Sequence, residues 1–152
     1  ETLTNQAYVD SDVGLRIRVV AAQLIDYSLR NDNSDALNEM TDSVSLPIRV
    51  EALRLREQYG ADLVKLMRNF DRSTQNSCGI AYLLGYHGSA FSSGYGFSVV
   101  SDRGYGGDNC GEFTFAHELG HNMGSHHDPA NAGSYVYRAD AYDAAAAPPR
   151  PS

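Results

Sequence analysis

The chain has no tryptophan, only two cysteines and only three methionines in 152 residues. Of its 12 basic residues a single one, Lys65, is lysine, and no function follows from that imbalance. No run of about 20 consecutive apolar residues occurs, so no segment suits a bilayer-spanning helix. Positive charge is scarce as well. The formal net charge is −7, which argues against nucleic acid or an anionic membrane surface as a partner. The glycine-rich stretch from Ser101 to Gly111 lacks the G-x-x-x-x-G-K pattern of a phosphate-cradling loop and reads as an ordinary turn. Asp102, Asp108 and Glu112 show no calcium-loop spacing. No internal repeat is visible. What is present is a hydrophobic fraction of 42%, enough for one domain with one core.

The pattern along the chain mixes helices and strands. Asn5 to Tyr8 reads as the last turn of a helix ending at Asp10-Ser11-Asp12. Leu15 to Tyr27 is rich in β-branched residues and partly alternating, which predicts a long strand. Asn31 to Ser34 is a turn cluster, with Ser34 or Asp35 capping a short helix over Ala36 to Met40. Pro47 suits the first position of an amphipathic helix that runs to Tyr59 and stops at Gly60. Short strands are expected over Leu63 to Met67, Gly79 to Leu84 and Phe97 to Val100. A polar connection, Asp71 to Ser77, and a Gly/Ser-rich loop, Gly85 to Gly94, separate them. A last helix spans Glu112 to Met123, with Phe113, Phe115, Ala116, Leu119 and Met123 available for burial. Residues 140–152, with an alanine run and then Pro148-Pro149-Arg150-Pro151-Ser152, read as a low-complexity tail behind a domain of residues 1–139.

The chemistry concentrates in His117 to Asp128, H-E-L-G-H-N-M-G-S-H-H-D. On a helix, His117 and His121 project from one face about a turn apart. Gly124 lets the chain leave the helix through a conformation that side-chained residues resist, and the turn brings His127 round as a third nitrogen. Three protein ligands with a fourth position open make a catalytic zinc site; a structural site is closed by a fourth ligand. Glu118 stands beside the first histidine, within reach of a water at that open position. His126 competes with His127 for the third place, but the spacing selects His127. His87, far upstream in a loop, reads as an exposed histidine.

The extended pattern H-E-x-x-H-x-x-G-x-x-H resembles that of the metzincin zinc endopeptidases. The Asp128 that follows is similar to the adamalysin or reprolysin branch. Upstream, Ala61 to Leu66 resembles the central strand of that family, Cys78 to Leu83 its edge strand above the cleft, and Gly96 to Val100 the strand leading into the zinc helix. The whole is most similar to the bacterial reprolysin-like group that includes the peptidyl-Asp metalloendopeptidases. The resemblance implies an α/β (α+β) fold with a twisted mixed sheet, flanking helices and a zinc-binding active-site helix. It implies one zinc held by His117, His121 and His127, with Glu118 as general base in hydrolysis of peptide bonds by a zinc-activated water. Gly124 and Asp128 would support the turn at the third histidine. A polypeptide substrate would pair in extended form with Gly79, Ile80, Ala81 and Tyr82. A monomer is expected.

One expected feature of the metzincins is missing from the pattern. They carry a methionine-containing turn downstream of the third histidine, and the methionines here are 40, 67 and 123. The chain reads as a domain trimmed at both ends. The alternative to an active endopeptidase is a non-catalytic zinc-binding fragment of such a domain. Glu1 opens the chain without an initiator methionine or signal peptide, as in a secreted, processed enzyme. An extracellular setting would pair Cys78 with Cys110; otherwise they are two free, buried thiols.

Overall fold

A computed structural model describes residues 1–27, 31–41, 46–83, 92–102 and 110–127. The tail, His87, Asp108 and Asp128 lie outside the described residues. Among the described residues, four helices and a three-stranded sheet make up an α+β fold: α1 (Thr2–Asp10), α2 (Asn33–Thr41), α3 (Pro47–Tyr59), β1 (Val64–Asn69), β2 (Gly79–Ala81), β3 (Phe97–Asp102) and α4 (Thr114–Asn122). A 3₁₀ turn over Ser93–Tyr95 leads into β3.

The strand order is β1-β3-β2, with β1 parallel and β2 antiparallel to β3. The stretch resembling a central strand is therefore at an edge among the described residues, and β3 is the middle strand. Its position explains its composition: Phe97 and Val99 are fully buried, and Val100 nearly so. Alternation divides the sheet into two unlike faces. One face presents Leu66, Phe97, Val99 and Ile80 to Ala36, Leu37 and Met40 of α2 and Ile48 and Ala52 of α3, forming the apolar core. The other face carries Lys65, Ser98 and Gly79, and α4 lies across it.

The expectations for α1 and α3 hold. Pro47 starts α3, and Gly60 ends it in the left-handed region at φ 59°. The α2 cap is different. Asp32, two residues before Ser34, the earlier of the expected caps, accepts from the Ser34 backbone N–H at 2.8 Å.

The strand expected over Leu15 to Tyr27 does not form. The segment has the composition of a strand but, among the described residues, no neighbour to complete a ladder. Instead the Asn5 side chain imitates one: its Nδ2 donates to the Ile17 carbonyl at 2.8 Å and its Oδ1 accepts from the Ile17 N–H at 2.7 Å. Leu15, Val19 and Leu24 are left exposed. Propensity is overridden where no partner edge is available.

A buried polar knot fixes the approach to β2. Asn33, fully buried, donates to the Ser77 carbonyl at 2.8 Å and to Ser101 Oγ at 3.0 Å. Immediately after Ser77, Cys78 is bonded to Cys110, with Cα atoms 5.3 Å apart. The expected disulfide is thus present, and it joins the start of β2 to the segment leading into α4. Replacing both cysteines by alanine is expected to lower the unfolding free energy by about 3–4 kcal/mol on the loop-entropy account. Urea denaturation of the variant against the parent measures it.

Candidate metal centre

The residues of α4 sort by its period. Glu118, Leu119 and Asn122 face inward and are buried, while His117 and His121 face out. Sequence reading placed Phe113 among the residues available for burial. It precedes the first turn and is half exposed. The inward positions are instead partly polar. Asn122 Nδ2 donates to the carbonyls of Tyr82 and Phe97, each at 3.0 Å, and so ties α4 to the strand ends.

The helix stops at Met123, and Gly124 adopts φ 92°. Its N–H returns to the His121 carbonyl at 3.0 Å, and the Ser125 N–H to the Gly120 carbonyl at 2.8 Å. These bonds satisfy the last helix carbonyls and reverse the chain. His127 is thereby carried over the face that bears His117 and His121, so Gly124 does what its position in the motif suggested.

The three imidazoles converge. The Nε2 atoms of His117 and His127 are 3.0 Å apart, and each stands 3.1 Å from that of His121. His121 Nδ1 is 2.7 Å from the Ser125 carbonyl oxygen. A carbonyl only accepts, so Nδ1 carries the proton, and Nε2 of the neutral ring presents a lone pair to the other two. Three mutual contacts of this kind cannot all be hydrogen bonds. They fit a cation. In tetrahedral zinc coordination with Zn–N of about 2.0–2.1 Å, ligand nitrogens stand about 3.3–3.4 Å apart, close to the spacing here. His117, His121 and His127 are the group among the described residues able to hold a metal ion. His126 is not in it.

Glu118 lies beside this triangle on the sheet side, only 5% exposed. Its Oε2 has no hydrogen-bond partner. Burial pushes the carboxyl up to about 7, against smaller opposing effects of Lys65 and His127. Lys65 projects from β1 towards the first turn of α4, where its Nζ donates to the Phe115 carbonyl at 3.1 Å and sits 4.4 Å from the Phe115 ring centre. Burial pulls its ammonium down to about 7, partly countered by Glu118. Burial likewise lowers His117, with the other two histidines acting in the same direction. A cavity of about 430 Å³ opens next to Glu118 and His117, bounded by Cys78, Gly79, Gly111, Phe113 and Thr114.

Among the described residues β2 forms an edge of the sheet. The Ser101 N–H donates to the Cys78 carbonyl at 2.8 Å, so Cys78 and Ser101 are a bonded pair, as are Ile80 and Val99 two residues on. The main-chain groups of Gly79 and Ala81 consequently point to the outer edge. Of these, the Gly79 carbonyl already accepts from Ser77 Oγ at 3.1 Å. Tyr82 lies just past the strand.

Sequence reading did not assign roles to Lys65, Asn122 or the Ser125 carbonyl. The first had a signal: a lone lysine inside the apolar run Leu63 to Met67. The other two had none.

Comparison with known proteins agrees with this geometry. The family model described as Metallo-peptidase family M12B Reprolysin-like matches residues 2–128. The chain is also similar to a peptidyl-Asp metalloendopeptidase of Pseudomonas aeruginosa (strain PAO1), with 37% identity over 132 residues. That alignment covers 81% of this chain and 20% of the relative, so the chain spans one fifth of the relative's length. No solved structure matches the chain.

Ionised Glu118 is penalised by burial, so its cost is absent below its ordinary 4.5 and grows as pH rises through about 7. In metal-free protein, Glu118→Gln is therefore expected to raise the melting temperature at pH 8 and to change it little at pH 4. Paired thermal melts at the two pH values check the sign.

Proposed function

The chain belongs to the reprolysin-like M12B metallopeptidase family, and from that premise we propose that it is a zinc-dependent endopeptidase. The observation that carries the reading is the convergence of three histidine Nε2 atoms beside a buried carboxylate that has an unpartnered oxygen. His117, His121 and His127 hold the metal. A zinc ion there supplies Lewis acidity to water and to the scissile carbonyl.

Glu118 is the general base. Its raised affinity for a proton suits it to receive one from the attacking water at a carboxylate oxygen and to pass it to the leaving amine. His121 is fixed in its ligand tautomer by the Ser125 carbonyl, and Gly124 supports the turn before His127. The substrate lies extended along β2, pairing with the outward groups of Gly79 and Ala81, with Ile80 and Tyr82 flanking them.

Residues 1–139 form the catalytic unit and 140–152 an appended tail. The disulfide supports secretion into an oxidising compartment. No helix among the described residues is long and apolar enough to cross a membrane. The name of the Pseudomonas aeruginosa relative, a peptidyl-Asp metalloendopeptidase, supports a preference for bonds beside aspartate. The family match and that relative favour a peptidase over a non-catalytic zinc-binding fragment.

The test is a casein digest run with and without a chelator, together with metal analysis. The parent is expected to bind one zinc per chain and to lose cleavage on chelation. Glu118→Gln is expected to keep the metal and to lose about 10²–10⁴-fold in kcat. Cleavage by that variant at the parent rate would sink the assignment of the base.

A further inference from the structure

Gly79 stands against the general base more closely than any side chain would allow. A Cβ built on it would lie 2.6 Å from Glu118 Oε1, 2.8 Å from Cγ and 2.9 Å from Cδ. Such separations are well inside carbon contact distance, about 3.5–4.0 Å. Two of the three atoms are not the tip of the side chain, so no rotation of the carboxylate alone relieves the overlap. The side chain has to leave its place.

Backbone conformation does not explain the glycine. The described glycines with positive φ are Gly60 and Gly124. Gly79 sits in a regular antiparallel pairing opposite Val100, where any residue is tolerated conformationally. Its absent side chain would point at α4. On that face Gly79 stands in one row with Val100 and Met67, and Ala81, Ser98 and Lys65 form the next, so of these six positions only Gly79 presents no side chain. Glu118 occupies the space left at Gly79, with one oxygen against the strand and the other, Oε2, unpartnered.

From this geometry we infer that Gly79 is a positioning residue for Glu118. The bare Cα surface of β2 forms the seat that sets where the carboxylate rests relative to the histidine triangle. This role is separate from main-chain pairing with substrate, because the N–H and carbonyl of Gly79 point to the outer edge while its missing Cβ points to the helix. The inference rests on Glu118 acting as base, as proposed above.

The experiment is a double-mutant cycle of Gly79→Ala and Glu118→Ala, read by thermal melting, with kinetics and metal analysis on Gly79→Ala alone. With Glu118 present, Gly79→Ala is expected to lower the melting temperature. With Glu118→Ala, the same substitution should leave it unchanged or raise it, since alanine loses less backbone freedom than glycine on folding. In the kinetic arm, kcat should fall by about 10²-fold, the scale of a 1 Å misplacement of a catalytic group. KM should stay within about twofold and the metal content should not change.

An equal loss of melting temperature in both backgrounds would overturn the inference, because the cost would then lie in the backbone. Parent kcat in Gly79→Ala would overturn it too. If the parent shows no chelator-sensitive cleavage, the peptidase reading fails while the melting cycle still decides whether Gly79 seats Glu118.

Discussion

Three imidazole Nε2 atoms crowded round one point cannot all bond one another, and the fold around α4 holds them there against the repulsion. The helix supplies two from one face, and the chain reversal at Gly124 supplies the third. The Ser125 carbonyl commits His121 to the protonation that leaves its inner nitrogen bare. A divalent cation turns the repulsion into attraction. Metal affinity at such sites is linked to folding, because the unfolded chain offers no comparable cluster.

The same helix has to rest on something, and what it rests on is unusual for a small domain. The sheet face away from α4 is packed with aliphatic and aromatic side chains. The face under α4 brings together Lys65, Ser98, Glu118 and Asn122, and the oxygens Ser98 Oγ, Glu118 Oε2 and Asn122 Oδ1 have no hydrogen-bond partner. Unmet polar groups in a buried layer cost stability. Here that cost falls directly behind the metal site, where groups with displaced proton affinity are useful. The apolar face carries the folding of the sheet and leaves this face free for chemistry.

The legible part of the molecule was the part in which local chemistry dictates structure. The histidine spacing, the glycine after it, Pro47 and Gly60 around α3, and the cysteine pair all state their geometry in a few adjacent letters or through one covalent requirement. The strand expected over Leu15 to Tyr27 failed for the opposite reason: a strand needs a partner, and propensity does not say whether an edge is available. The placement of β1 at an edge is also a property of the assembled sheet. Within the site, Glu118 was readable from its place in the motif. Its contact with Gly79, the Lys65 bond to the Phe115 carbonyl and the Asn122 bridge join residues 39, 50 and 25 to 40 positions apart, and no local pattern encodes such meetings.

The Cys78–Cys110 bond encloses 31 intervening residues, since its sequence separation is 32. A single backbone scission anywhere inside that ring yields two polypeptides that remain one molecule. The strand that lines the cleft and the helix that bears the histidines would not part company. Nicking inside the ring would be silent under oxidising conditions. It would surface only when a reductant severs the tether, as an extra pair of bands on a denaturing gel.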